Sequence, residues 1–524
     1  MTKPETRRHA CIDTWPATAA FAEIYDGGRA QVVATRLVAD LETPVSAYLK
    51  LAAGRAPAFL LESVEGGAVR GRYSIIGLKP DIIWRATGER AEINRTAETD
   101  PDTFVADARP TLASLRELLD ESRIELPETL PPMAAGVFGY MGYDTVRLIE
   151  RLPNEPTDIL GVPDAILVRP TVMVIFDAVR DEMTVVTPVR PTPAASAAAA
   201  YAAAQQRLAE VVAALDGPLN HASAAAQDTL ALAEPVSNTS PVEYMGMVEK
   251  AKEYIKAGDI FQVVLSQRFS TPFALPPFAL YRALRRLNPS PFLFHLDFGT
   301  FALVGSSPEI LVRVRAGEVT IRPIAGTTRR GASSAEDKLL ADALLKDPKE
   351  RAEHLMLLDL GRNDVGRVAE VGSVRVTDRF VIERYSHVMH IVSNVVGRLS
   401  TKCDTVDALM AGFPAGTVSG APKVRAMEVI DELEKSKRGP YAGCVGYFAA
   451  DGEMDTCIVL RTALVKDGTL HVQSGAGVVY DSVPENEQQE CINKAKAIVH
   501  AAEEAVRFAG GTGNGPGGNK GAWG

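Results

Sequence analysis

The sequence predicts an α+β fold built on antiparallel sheets, and three observations carry that assignment. Apolar runs with strand character are joined in pairs by short polar or glycine-rich turns, as at 58–80 and at 171–177 followed by 182–189. The strand and helix spacing of a doubly wound sheet is not kept, and no repeat at the period of a solenoid or propeller is present. At 524 residues the chain exceeds what a single core serves, so two or more lobes are expected.

In order along the chain, a polar start precedes a short helix-like piece around 44–53. AFLLESVEGGAVRGRYSIIGLKP (58–80) sets two apolar segments about a glycine-rich turn, as in a hairpin, and DIIWRATGERAEI continues the β character. Residues 112–119 read as a helix that the proline-rich ELPETLPP breaks. AAGVFGYMGYDTVRLIE follows, then the strand pair TVMVIFD and EMTVVTPV, so 1–190 forms a sheet-rich lobe. Residues 191–240 hold an Ala-rich helix (193–216) and a polar connector without periodicity. Ser240 and Glu243 have capping-box spacing; the helix they start ends at Gly258 and feeds the strand IFQVVLSQRF. Strands and helices alternate through the second lobe, 241–508, and the Gly-rich stretch 509–524 has the composition of a flexible tail.

Composition narrows the function. A hydrophobic content of 46% with 23% charged residues is that of a soluble globular protein. The net charge of −10, with no cluster of Lys and Arg, argues against nucleic-acid binding. No apolar run approaches the length that spans a bilayer, and no signal sequence is evident. The five cysteines are scattered, odd in number and without a CxxC pair, which argues against a disulfide framework or thiolate zinc site and makes a reducing cytoplasm the expected compartment.

The chemistry-bearing stretches lie in the second lobe. In ERAEHLMLLDLGRNDVGRV (350–368), Glu353 shares its helical register with Met356, Leu357 and Leu360, along the face expected to be buried. An acid there is a metal ligand, a salt-bridge partner or a general acid or base; the stretch alone leaves all three open. FPAGTVSGAPK (413–423) is a small-residue loop entering a helix near Lys423, whose N–H groups and Thr417 and Ser419 hydroxyls suit an anion, although it is not a Walker A loop. HVQSGAGVVYDS (471–482) reads as a strand broken at Gly475-Ala476-Gly477. Ser482 and Glu485 have capping-box spacing, and the helix dipole with a Glu490 to Lys494 pair accounts for the acids that follow. RPIAGTTRRG (322–331) is a further element, and 379–397 reads as one alternating strand carrying His387 and His390, with no zinc-binding histidine motif.

Together PIAGT, EHLMLLDLGRND, RYSHVMHIVS, FPAGTVSGAPK, GPYAGCVGY, GAGVVYDS and ENEQQECINKA, in this order over about 241–505, closely resemble the chorismate-utilising enzymes, and among them the anthranilate synthase component I branch. LLES (60–63), RYSIIG (72–77) and GYMGYD (139–144) are similar to that family's N-terminal domain. The resemblance implies large antiparallel sheets packed as a sandwich with helices outside, with 241–508 the chorismate-binding catalytic domain.

It also implies a Mg²⁺ site in which Glu353 and Glu490, selected over Glu487 by the resemblance alone, hold the ion over the ring carboxylate of chorismate. Chorismate would be clasped by Gly326, Thr327, Tyr441, Arg461, Gly475, Ala476, Gly477 and Lys494, with His390, Thr417 and Glu353 in catalytic roles. The implied reaction adds ammonia at C2 as the C4 hydroxyl leaves, then eliminates pyruvate to give anthranilate. Glu62 and Ser63, with Pro289, Ser290 and Pro291, would form a feedback site for L-tryptophan. Ala325 stands where the related aminodeoxychorismate synthases carry a lysine, which favours attack by free ammonia and ranks that activity second. A non-catalytic tryptophan sensor is the alternative of another class, against which Glu353 and Arg461 both speak. The chain shows no glutaminase segment, so a component II glutamine amidotransferase subunit, in a heterotetramer, is the implied partner.

Overall fold

The computed structural model describes residues 12–52, 54–65, 69–219, 232–385 and 388–509. The middle of the connector, His387, Cys11 and the tail beyond 509 lie outside the described residues.

The strands form one hydrogen-bonded network of antiparallel pairs, centred on the pairing of Val69–Thr87 with Ala165–Asp177. One arm leaves through Ala58–Glu65, Phe292–Asp297, Phe301–Ser307, Thr462–Lys466 and Thr469–Val478 to Gln262–Pro272. The other leaves through Gly136–Met141, Cys444–Ala449, Met454–Ile458, Ile310–Arg315 and Glu318–Ile321 to Val388–Arg398, which also pairs with Ile324–Arg329 and Arg375–Arg384. The arms face each other: Phe59, Phe294 and Leu303 of the first pack with Phe138, Val445 and Cys457 of the second. Each such burial stabilises by about 1.5–3 kcal/mol.

Helices cover the outer faces. Pro277–Leu287 and Pro484–Ala509 lay Leu280, Leu284, Ala495 and Ile498 on the first arm. Pro348–Gly366 lays Leu358 and Val365 on the second, while Lys423–Leu433 buries Met427 and Ile430 beside Gln262–Pro272 at the end of the first. The expected α+β sandwich with helices outside is the observed architecture. The Ala-rich helix, Ala197–Leu215, is capped by Ser196 and buries Tyr201, Ala204, Leu208, Val211 and Leu215, a stripe at spacings of three and four. The register pairs Leu293 with Glu62 and Val445 with Tyr140, so strands from before 190 and after 240 complete each other's sheets. No helix among the described residues is long and apolar enough to cross a membrane.

Four local readings are corrected. The 379–397 stretch is not one strand but the greater part of a hairpin of Arg375–Arg384 and Val388–Arg398, with Tyr385 N–H donating to Val388 O at 2.8 Å. Its tip carries neither glycine nor proline, so alternation ran through the turn unnoticed. Thr469–Val478 is unbroken at its glycines, which instead permit close approach by neighbours. Ser482 does not cap through Glu485: its hydroxyl accepts from Val479 N–H and bonds Glu487. The buried stripe of Pro348–Gly366 runs through His354, Leu357, Leu358, Gly361, Asp364 and Val365, which leaves Glu353 half-buried at its margin.

Candidate active site

The site is built on the Ile324–Arg329 strand. Its register against Val388–Arg398 slips between Ala325 and Thr327, leaving Gly326 as the extra residue at φ 69°. That backbone conformation suits glycine and marks a β-bulge. The bulge brings the Gly326 carbonyl to 3.0 Å from Nδ1 of His390, with Thr327 Oγ1 3.1 Å from the same nitrogen. A carbonyl only accepts, so Nδ1 carries the hydrogen and Nε2 presents its lone pair. Burial holds the His390 pKa below its ordinary value and the Arg461 charge adds to this, which keeps the imidazole neutral.

Glu309 escaped the sequence reading. It is 6% exposed, accepts from Thr417 Oγ1 at 3.4 Å and from the Ile324 N–H, and burial pushes its pKa up to about 8. At neutral pH it is therefore a carboxylic acid, able to donate. The available signal was a lone acid between two apolar strands in GSSPEILV.

The 413–423 loop is not the expected anion cradle. Val418 and Ser419 N–H groups bond back to Ala415 O and Gly416 O, and the Ser419 hydroxyl donates to Ala415 O at 2.8 Å. Thr417 alone of its two hydroxyl residues faces the site. Lys423 ties the following helix to Asp364 at 2.9 Å, and buried Arg438 donates to Val418 O and Val264 O at 2.7 Å each while paired with Glu434. The loop is thus held from both ends.

Acids from two helices converge beside this bulge. Burial raises the Glu353 carboxyl above its ordinary value, and the charges of Glu350 and Glu490 add to that effect, while Gln262 donates to Oε1 at 3.5 Å. Burial likewise raises Glu350 and Glu487, each with a contribution from Glu490. Glu353 and Glu490, on helices 137 residues apart in sequence, thus share one electrostatic environment. The donor set is all hard carboxylate oxygen with negative charge in excess of its lysines, Lys349 and Lys494, which fits a divalent cation such as Mg²⁺. Among the described residues no three His, Cys, Asp or Glu are grouped closely enough to hold a metal alone.

Lys494 links the acids to the glycine strand: Nζ is 2.7 Å from Glu490 Oε1 and 2.9 Å from Gly475 O. Gly475 and Gly477 allow close packing there, since a Cβ on Gly475 would lie 2.7 Å from Leu265 O and 3.0 Å from the Tyr441 hydroxyl, and one on Gly477 2.7 Å from Gln262 Nε2. Ala476, between them, points into the core at 0% exposure. Arg461 follows the Met454–Ile458 strand at φ 48°, a strained conformation for a non-glycine residue, with its carbonyl accepting from Ser306 N–H. Burial lowers its pKa, and no described residue accepts a hydrogen bond from its guanidinium. A cation held in this way is suited to an incoming carboxylate.

The residues expected at the feedback site are divided between two cavities and the core. A cavity of about 830 Å³ is lined by Glu62, Ser63 and Pro291 and extends to Arg322, Ile324 and Tyr385; Pro289 lines a smaller neighbour of about 300 Å³. Glu62 is already engaged by Arg285 and the Tyr281 hydroxyl. Ser290 lines neither cavity, because its buried hydroxyl donates to Ser307 O at 2.6 Å.

Comparison with known proteins agrees with this geometry. Residues 57–500 match the model of the chorismate binding enzymes. Anthranilate synthase component 1 of Cereibacter sphaeroides is 58% identical over 95% of this chain and 99% of that protein. That of Pseudomonas putida is 48% identical over 90% and 94%. The crystal structure of anthranilate synthase component I from Streptococcus pneumoniae superposes with a TM-score of 0.72 at 38% identity, covering 88% of this chain and 98% of that one. The menaquinone-specific isochorismate synthase of Escherichia coli shares the fold, with a TM-score of 0.67 at 20% identity over 93% and 99% of the two chains. With this coverage and identity, the chain belongs to the chorismate binding enzyme family, in its anthranilate synthase component 1 branch.

Proposed function

We propose that this chain converts chorismate and ammonia to anthranilate and pyruvate, in tryptophan biosynthesis. The observation that carries the reading is the Arg461 guanidinium, unpartnered among the described residues, at a site that also holds a protonated Glu309 and a neutral His390. Chorismate is a dicarboxylate, and Arg461 takes one of its carboxylates while Lys494, Tyr441 and the glycine strand line the rest of the pocket. Glu309 donates its proton to the departing C4 hydroxyl, with Thr417 orienting the acid, as ammonia bonds to C2. The Nε2 lone pair of His390 then accepts the C2 proton as the C3–O bond breaks and the ring becomes aromatic, and the departing enolpyruvate takes up a proton at its methylene carbon to become pyruvate. Glu353 and Glu490 would hold Mg²⁺, which when bound withdraws charge from the ring carboxylate. Buried Ala325 offers no nucleophile of its own, which supports ammonia over an enzyme-bound intermediate.

In this reading ammonia comes from glutamine through a separate component II amidotransferase in a cytoplasmic heterotetramer, and L-tryptophan occupies the cavity at Ser63 and Pro291 as inhibitor. The test supplies the purified chain with chorismate, Mg²⁺ and ammonium and follows anthranilate fluorescence. An amino product that retains the enolpyruvyl group, or no product at all, refutes the assignment.

A further inference from the structure

The large cavity and the active site share a wall. The Ile324–Arg329 strand presents Ile324 to the cavity, while its backbone supplies the N–H that Glu309 accepts and the carbonyl that His390 binds. The 375–398 hairpin forms the other part of that wall, and Tyr385 sits where its first strand ends. The Tyr385 ring meets His390 edge-on, with centroids 5.4 Å apart at 65°. Its hydroxyl donates to Glu383 Oε2 at 3.0 Å, and the other oxygen of Glu383 is paired with Arg322. Arg322, Glu383 and Tyr385 all line the cavity.

These contacts form a continuous clasp. One end is an ion pair open to the cavity, the other an aromatic edge against the imidazole whose Nε2 faces chemistry. The hydroxyl remains a donor at working pH, because burial and then the Glu383 charge raise its pKa. Removing the hydroxyl would free a half-buried ring that otherwise has one orientation. An amino-acid carboxylate at this end of the cavity competes with Glu383 for Arg322. Glu383 then loses its counter-charge and Tyr385 its fixed acceptor. A ligand shifts a protein only by interacting differently with two arrangements, and the paired and unpaired forms of Arg322 provide that difference.

We propose that Tyr385 is a positioning residue for His390, held by Glu383 and Arg322, and that this clasp transmits occupancy of the cavity to turnover. The proposal rests on the reading of His390 and of the cavity given above. It is tested on the full chain with Y385F, E383Q and the double variant, assayed with chorismate, Mg²⁺ and ammonium, with L-tryptophan as the cavity probe. Y385F lowers kcat by about ten-fold with the KM for chorismate within about two-fold, since His390 acts after binding. E383Q gives a similar loss and needs about ten-fold more L-tryptophan for half inhibition, and the double variant is no worse than either single one. Wild-type kcat in Y385F, losses that multiply in the double variant, or unchanged inhibition of E383Q overturns the proposal.

A second readout needs no substrate. ¹⁵N-edited spectra of the His390 ring show one tautomer, Nδ1–H, in the wild type and an exchange-averaged ring in Y385F; an unchanged ring spectrum overturns the clasp. A wild-type chain that yields no anthranilate sinks the functional reading instead, and the ring spectra still decide the clasp.

Discussion

Glu309→Gln separates catalysis from folding, because the same burial that equips the acid for catalysis makes it costly to the fold. The glutamine keeps the shape and can still accept from Thr417 and the Ile324 N–H, but it has no acidic proton. A pKa of about 8 leaves roughly nine-tenths of the molecules protonated at pH 7. Loss of that proton removes general acid catalysis, worth about 10²–10⁴ in kcat. The stability effect has the opposite sign. A buried acid whose pKa lies above its unfolded value contributes stability fully below about 4.5 and loses it as pH rises through about 8. At pH 7 that loss spans about 2.5 pH units at about 1.4 kcal/mol each, on the order of 3 kcal/mol. The uncharged glutamine escapes it. Glu309→Gln therefore gives an enzyme nearly inactive by anthranilate fluorescence, yet more resistant to denaturant at pH 7 and 8 than the wild type, the difference vanishing near pH 4. With free ammonia held constant, the wild-type rate falls above pH 8, where the acid ionises. Retained kcat in the glutamine variant, or a stability equal to wild type at pH 8, refutes the role assigned to Glu309.

Three further outcomes are expected. Arg461→Met raises the KM for chorismate by about 10- to 150-fold, the equivalent of about 1.5–3 kcal/mol for a charged hydrogen bond, without lowering the thermal midpoint, because no partner within the described chain is lost. Glu353→Gln and Glu490→Gln each raise the Mg²⁺ concentration needed for half-saturation more than about ten-fold in calorimetric titrations with chorismate present; an unchanged titration removes that residue from the metal site. Arg438→Met leaves buried Glu434 without its counter-charge and costs about 3–5 kcal/mol, read as a fall in the unfolding midpoint; an unchanged midpoint would show that the Ser266 N–H and hydroxyl, which already donate to Glu434, suffice.

Local pattern was informative wherever the physics is local. Ser240 with Glu243 forms the capping box its spacing announced, Gly258 ends that helix at φ 85°, and the strand pairs at 58–80 and 171–189 are hairpins. Pairing across the chain was not legible from pattern, because no spacing relates Leu293 to Glu62 or Gly326 to His390. The same holds for the site. Ordered motifs singled out Glu353, His390, Thr417, Arg461 and Glu490, but which oxygen or nitrogen each presents depends on a one-residue bulge and on burial. Ser290 and Ser419 look like ligand contacts in sequence, and each spends its hydroxyl on a backbone carbonyl. Glu309 was passed over because an acid at a strand start is unremarkable until its surroundings are known to be dry.

The interleaving of strands from the two halves of the chain bears on synthesis. The strand Ala58–Glu65 leaves the ribosome long before Phe292–Asp297, which covers one of its edges, and Gly136–Met141 waits still longer for Cys444–Ala449. Until then the nascent amino-terminal half exposes unpaired β edges and the apolar face of Phe59 and Phe138, a template for association with other chains. A fragment ending near residue 240 is accordingly a poor candidate for independent expression, and co-translational chaperone capture is favoured during that interval.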